Sequence, residues 1–274
     1  MDIIKFLEEF TTEKLSDNKT SRREMFGSLG TMGKKAAMAA VPLGLASMGN
    51  KAWAAPSMMQ GDPISALQLA LLLEYIEADF YLKALESGVL YGHAKAEGIY
   101  NQISKHESAH VSLLQGALGD EAFDAPKFDF TVGGRFDPFG ENGDMNTSYA
   151  QLLAFAQAFE DTGVRAYKGQ AENVMGDPAI LTVALQIHSV EARHASEIRR
   201  LRGLEGWITG NERGAGMPEI AQAVYVNEDN VIHGGVDVTT LGDGDPFSFE
   251  SSTQAYDEPL TSDNAGEIAS LFLS

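Results

Sequence analysis

Four stretches of about 25 residues carry apolar side chains at three- and four-residue spacing, which is typical of helices with one buried face. They span 63–87, 94–118, 147–175 and 178–204. Only a few residues join the first stretch to the second and the third to the fourth, so each pair is predicted to form an antiparallel hairpin. A longer, non-periodic segment (119–146) separates the pairs. The sequence therefore predicts an all-α, antiparallel four-helix bundle with a long crossover between the second and third helices.

One glutamate interrupts the apolar face of each predicted helix. These residues are Glu74, Glu107, Glu160 and Glu191. A carboxylate buried without a partner costs several kcal/mol, so each glutamate taken alone fits a position in water. The sequence around the four glutamates argues against solvated positions, because the second half of the bundle repeats the first half.

In each half, the first glutamate is followed seven residues later by a tyrosine and about 32 residues later by a Glu-x-x-His motif. Side chains three residues apart lie close together on one side of a helix, so both members of each motif can converge on one ion. The repeated residues are Glu74, Tyr81, Glu107 and His110 in the first half, and Glu160, Tyr167, Glu191 and His194 in the second.

This repeat resembles the ferritin-like di-iron or di-manganese carboxylate family, in which two helices each supply a Glu and the other two each supply a Glu-x-x-His. The resemblance covers about residues 63–204, within a predicted domain of residues 55–204. It implies two terminal glutamates, two bridging glutamates and one histidine for each metal. In that order, these are Glu74 and Glu160, Glu107 and Glu191, and His110 and His194.

The expected cofactors are two divalent metal ions, iron or manganese. Four carboxylates balance the charge of two divalent cations, because ligating imidazoles are neutral. The chain has no cysteine, which excludes disulfides, iron–sulfur clusters and thiolate zinc sites. Carboxylate and imidazole ligands suit iron or manganese.

Several residues near the six ligands have two interpretations. Glu77 is an acid beside the centre, an alternative ligand or a solvated residue at the edge of the face. Tyr81 and Tyr167 are core residues or hydrogen-bond donors to ligand carboxylates. His106 is predicted to point away from the site, and His188 is ambiguous.

The first 54 residues resemble a twin-arginine export signal. Ser21-Arg22-Arg23 precedes a weakly apolar stretch, and Ala52-Trp53-Ala54 matches a cleavage site. The resemblance implies a periplasmic or otherwise exported protein whose cofactor is inserted before export. The apolar stretch is too short for a stable membrane anchor. A disordered or helical N-terminus is the alternative.

Residues 205–274 are predicted to form a loop-rich extension with short strands and a terminal helix. Residues 223–226 and 231–238 have β-like composition, and 265–273 reads as a helix with Ser262 or Asp263 as its cap. Such an extension would obstruct a compact ferritin cage. It resembles the exported bacterial branch of ferritin-like proteins, which includes relatives of plant desiccation-related proteins.

Two classes of function remain open. The first is an enzyme that oxidises Fe(II) or consumes oxygen or peroxide in stress protection, or resembles manganese catalase. The second is a non-catalytic envelope protein, metal-binding or metal-free, with a stress or desiccation role. The formal net charge of −19 argues against nucleic-acid binding. Metal ions and oxygen or peroxide are the expected partners, and a homodimer is left open.

Overall fold

The computed structural model describes residues 62–242 and 246–274. Its main body is a bundle of four long helices, which confirms the predicted all-α fold. The first two helices pack as one hairpin and the last two as another, and the first and third helices join the hairpins. The helices are α1 (Pro63–Glu86), α2 (Ala94–Leu118), α3 (Met145–Val174) and α4 (Pro178–Leu201).

Local capping sets the helix starts. Asp62 and Asp177 each accept hydrogen bonds from backbone N–H groups of the first turn, and the proline that follows each of them needs no such partner. Asp144 caps α3 by accepting from the Thr147 N–H, so this helix begins two residues before its predicted start. The fourth helix ends at Leu201 rather than 204.

The core of the bundle has an aromatic cluster against which the chain's C-terminus packs. Phe80, Phe130, Phe155, Phe159 and Phe272 contact one another at ring-centroid distances of 4.8–6.4 Å. A second apolar cluster joins the helices around Leu71, Leu114 and Ile180. The four interrupting glutamates lie near the midpoints of their helices and are fully buried.

The crossover and the C-terminal extension pack on the bundle and on each other. Phe128 of the crossover pairs with Leu273 in an isolated β-bridge, and the Asp129 N–H donates to the Phe272 carbonyl. The extension contains small elements only. These are 3₁₀ turns at Glu219–Tyr225 and Val238–Thr240, strands β1 (Ile232–His233) and β2 (Val236–Asp237), and helices α5 (Phe249–Thr253) and α6 (Ser262–Ser270).

The structure corrects part of the prediction for the extension. The β-like run 223–226 is not a strand, because Val224 and Tyr225 are buried in a 3₁₀ turn packed on α3. The run 231–238 does form an antiparallel hairpin, β1–β2. Thr261 caps the terminal helix, rather than Ser262 or Asp263. The predicted export signal lies outside the described residues.

Within the described residues, no helix combines the length and apolarity needed to cross a lipid bilayer.

One buried arginine fastens the extension to α3. Arg165 has no exposed surface, and its Nε lies 2.6 Å from Glu228 Oε1. Its guanidinium also donates to the backbone carbonyls of Val224, Val226 and Glu258. A buried ion pair that lost one partner would leave an uncompensated charge, so this contact holds the extension in place.

We expect Arg165→Met to lower the free energy of unfolding by about 3–5 kcal/mol, because Glu228 would stay buried without its partner. Urea denaturation followed by circular dichroism measures the change. The exposed Arg193 of α4 offers a control, and Arg193→Met should change stability by less than about 0.5 kcal/mol. Equal effects from the two substitutions would contradict the anchoring role of Arg165.

Candidate metal centre

The four long helices bring all six predicted ligands into one cluster. Their ligand atoms form two groups, and within each group the atoms lie within 4.8 Å of one another. Both groups include Glu107 and Glu191, so two ions side by side could share these carboxylates. One group is Glu74, Glu107, His110 and Glu191, and the other is Glu107, Glu160, Glu191 and His194.

Glu107 occupies the middle of the cluster. Its Oε2 lies 2.9 Å from His110 Nδ1, and its Oε1 lies 3.0 Å from His194 Nδ1. Each histidine also faces one of the two glutamates outside the Glu-x-x-His motifs. His110 Nδ1 is 3.1 Å from Glu74 Oε2, and His194 Nδ1 is 3.2 Å from Glu160 Oε2. One oxygen of Glu107 is therefore directed to each half of the cluster.

Several buried polar atoms in the cluster have no hydrogen-bond partner among the described residues. They are Glu107 Oε1, Glu160 Oε2, both carboxylate oxygens of Glu191 and His194 Nδ1. An unsatisfied buried polar group costs about 1–3 kcal/mol. Cations held between these atoms would satisfy them, and the donor set of oxygens and imidazoles suits iron or manganese. The residues present therefore fit a dinuclear metal centre.

Protons compensate the charges of the cluster in the protein alone. Burial raises the pKa of Glu74 to about 8 and the pKa of Glu191 well above its usual value. Burial acts on Glu107 in the same direction, but the hydrogen bond from His110 and the adjacent charges of both histidines lower its pKa to about 2. Burial disfavours charge on His110 and His194, yet the adjacent carboxylates raise the pKa of each to about 10.

The two repeated tyrosines each reach across to the glutamate of the other hairpin. The Tyr81 hydroxyl on α1 donates to Glu160 Oε1, and the Tyr167 hydroxyl on α3 donates to Glu74 Oε1 at 2.5 Å. The second oxygen of each glutamate is the one that faces a histidine. The tyrosines therefore orient both carboxylates toward the cluster and link the two hairpins.

Glu77 is a fifth glutamate buried beside the cluster. Only 3% of its surface is exposed, so the solvated-edge interpretation is wrong. Burial and the charges of Glu160 and Glu74 raise its pKa well above the usual value. A Cβ added at Gly163 would lie 2.8 Å from Glu191 Oε2 and 3.3 Å from Glu77 Oε1, so this glycine leaves room for both carboxyls.

His106 is a site residue that the sequence interpretation missed. Its Nδ1 lies 2.8 Å from His194 Nε2, its ring stacks on that of His194, and its Nε2 approaches the exposed Gln102. With Nδ1 of His194 directed into the cluster, the proton on Nε2 can be donated to His106. His188 instead lies 3.0 Å from the Val164 carbonyl, outside the cluster.

The comparison with known proteins agrees with this geometry. The family model of the ferritin-like domain matches residues 62–204, which is more than half of the chain. The chain belongs to the ferritin-like domain family. No curated protein and no solved structure matches it. The ferritin-like domain covers α1 to α4 and all six predicted ligands, while the extension lies outside it.

We expect His106→Phe to weaken Mn(II) binding to the ferritin-like domain by about 10- to 100-fold, because His194 would lose the partner that orients its ring. Isothermal titration calorimetry measures the affinity. His188→Gln is the matched control, since His188 bonds to backbone outside the cluster. Unchanged binding by His106→Phe, with a native melting temperature, would contradict this role.

Metal binding should release protons. Five of the six predicted ligands have raised pKa values, and each must lose its proton to ligate. The pKa is about 8 for Glu74 and about 10 for His110 and His194, and it is raised for Glu160 and Glu191 as well. We therefore expect release of about three protons or more per pair of ions at pH 7, and weaker binding as pH falls. Calorimetry in buffers of different ionisation enthalpy counts the protons. Release of fewer than about one would contradict the assignment.

Proposed function

We propose that the ferritin-like domain holds two iron or manganese ions and uses them to oxidise Fe(II) or to consume oxygen or peroxide. The observation that supports this most directly is the pair of ligand groups that share Glu107 and Glu191. Two adjacent redox-active ions held there would supply the two-electron chemistry that reduction of oxygen or peroxide to peroxide or water needs. We assign terminal positions to Glu74 and Glu160.

Charge balance supports two divalent ions. The four ligand glutamates carry four negative charges when ionised, which equals the charge of the pair of cations. A fifth ionised carboxylate would leave a net negative charge in a buried site. Glu77 is therefore assigned a neutral, protonated state, in agreement with its raised pKa.

The proton on Glu77 has a chemical use. A Cβ on Gly163 would lie 3.3 Å from Glu77 Oε1 and 2.8 Å from Glu191 Oε2, so both carboxyls border the same small space, buried inside the bundle. Reduction of oxygen or peroxide consumes protons, and a protonated acid at this position can supply them. We assign Glu77 the role of proton donor, rather than that of a seventh ligand. Tyr81 and Tyr167 hold the terminal glutamates in orientation.

We also propose export by the twin-arginine route and a role in protection against oxidative stress. Export is supported by the motif Ser21-Arg22-Arg23 and the cleavage-site pattern Ala52-Trp53-Ala54. This route carries folded proteins, which suits a metal centre assembled inside a closed bundle. A periplasmic location would place the centre where oxygen and peroxide enter the cell.

Metal content tests the site. We expect the full chain, purified without chelator or affinity metal, to contain about two equivalents of iron or manganese. Glu107→Gln removes a charge from both ligand groups, so it should lower metal content well below this level and reduce the melting temperature. Elemental analysis and calorimetry measure both. Full occupancy in this variant would overturn the assignment of the shared ligands.

Turnover separates the enzyme from the non-catalytic alternative. Glu77→Gln keeps the shape of the side chain and its neutrality, so the variant should keep its metal. It should lose about 100-fold or more in the rate of Fe(II) oxidation or peroxide consumption. Oxygen and peroxide electrodes follow the rate. If the metal-loaded wild-type chain shows neither reaction, the non-catalytic envelope protein becomes the better proposal.

A further inference from the structure

A large apolar cavity lies beside the bundle, separate from the six ligands. Its volume is about 590 Å³, and its walls come from α3, the crossover, the Glu219–Tyr225 turn and the C-terminal segment. Small-molecule sites in proteins commonly measure about 300–1,000 Å³. The residues that form its apolar interior include Ala154, Phe155, Ala158, Phe159, Met217 and Val224.

The lining indicates the chemistry of a ligand. None of the described residues that line the cavity carries a charged side chain. Its polar side chains, Asn146, Thr147 and Gln151, lie together at the start of α3, and the first two are exposed. An uncharged molecule with an apolar body and one polar end would match this distribution, with its polar end at the exposed mouth. An ionised ligand would find no opposite charge in the lining.

The inner wall of the cavity reaches toward the metal centre. Phe159, Ile268 and Phe272 line the cavity, and the same three residues also line a small void of about 10 Å³. Glu77 forms part of that void. A molecule in the large cavity would therefore be separated from the Glu77 side chain by a single layer of apolar side chains.

We propose that this cavity binds an uncharged, largely apolar organic molecule, with its polar end at Asn146, Thr147 and Gln151. The crossover and the extension form a large part of its walls, so ligand binding gives these two segments a function beyond closing the bundle. The proposal goes beyond the proposed function, because the cavity exists without a contribution from any of the six ligands. Binding should therefore persist in protein stripped of metal.

The test uses N-phenyl-1-naphthylamine, an uncharged apolar fluorophore, and the full chain. We expect saturable fluorescence enhancement with one site per chain, both before and after metal removal with a chelator. Ala154 lines the cavity and has 6% of its surface exposed, so Ala154→Phe should fill the space. This variant should bind the probe at least about tenfold more weakly, with a melting temperature equal to or above that of wild type.

Two controls keep the result interpretable. Ala94→Phe adds the same ring at an exposed position at the start of α2 and should leave probe affinity unchanged. Ala221→Leu fills the cavity from the extension and should also weaken binding of the probe. It replaces Ala154→Phe in the test if that variant does not fold. Equal affinity in the wild type and a folded cavity-filling variant would overturn the proposal, as would absence of saturable binding. Tighter binding of the anionic 1-anilinonaphthalene-8-sulfonate would overturn the uncharged ligand class.

Discussion

Carboxyl groups buried at the midpoint of an apolar bundle are the constraint on which the other parts of this structure depend. Glu74, Glu107, Glu160 and Glu191 are fully buried, so each needs a partner that compensates its charge. Protons and histidines provide that compensation in the protein alone, and two divalent cations would provide it when metal binds. The same groups would thus determine both the stability of the bundle and the affinity of the proposed metal site. A mutation in the centre should change the two properties together.

The internal repeat places equivalent contacts in the two halves of the cluster. Each hairpin supplies one tyrosine that orients the first glutamate of the other hairpin, through Tyr81 with Glu160 and Tyr167 with Glu74. The hairpins cannot separate without breaking both hydrogen bonds in the buried site. Glu107 adds a third link, because its two oxygens approach the histidines of both halves. Cohesion of the bundle and alignment of the ligands therefore rest on the same contacts.

The helices could be predicted from local periodicity, and the six clustered side chains from the repeated Glu and Glu-x-x-His motifs and the family resemblance that these motifs carry. His106 could not, because its partner His194 comes from another helix and a helical wheel of α2 contains no information on that contact. Gly163 was missed for a similar reason, although a glycine inside an apolar helix is a signal of close approach. The prediction of a strand at 223–226 was wrong because Arg165 donates hydrogen bonds to the carbonyls of Val224 and Val226. These carbonyls therefore need no partner strand.

The extension reaches from the surface of the protein to the surroundings of the candidate metal centre. Arg165 fastens it to α3, and its last residues place Ile268 and Phe272 between the large cavity and the void beside Glu77. Packed interiors respond to the loss of a wall residue by partial collapse, not by leaving the remaining side chains in place. A change that loosens the extension would therefore alter the cavity and the surroundings of Glu77 at once. In this chain, the segment outside the ferritin-like domain forms part of the surroundings of the candidate metal centre.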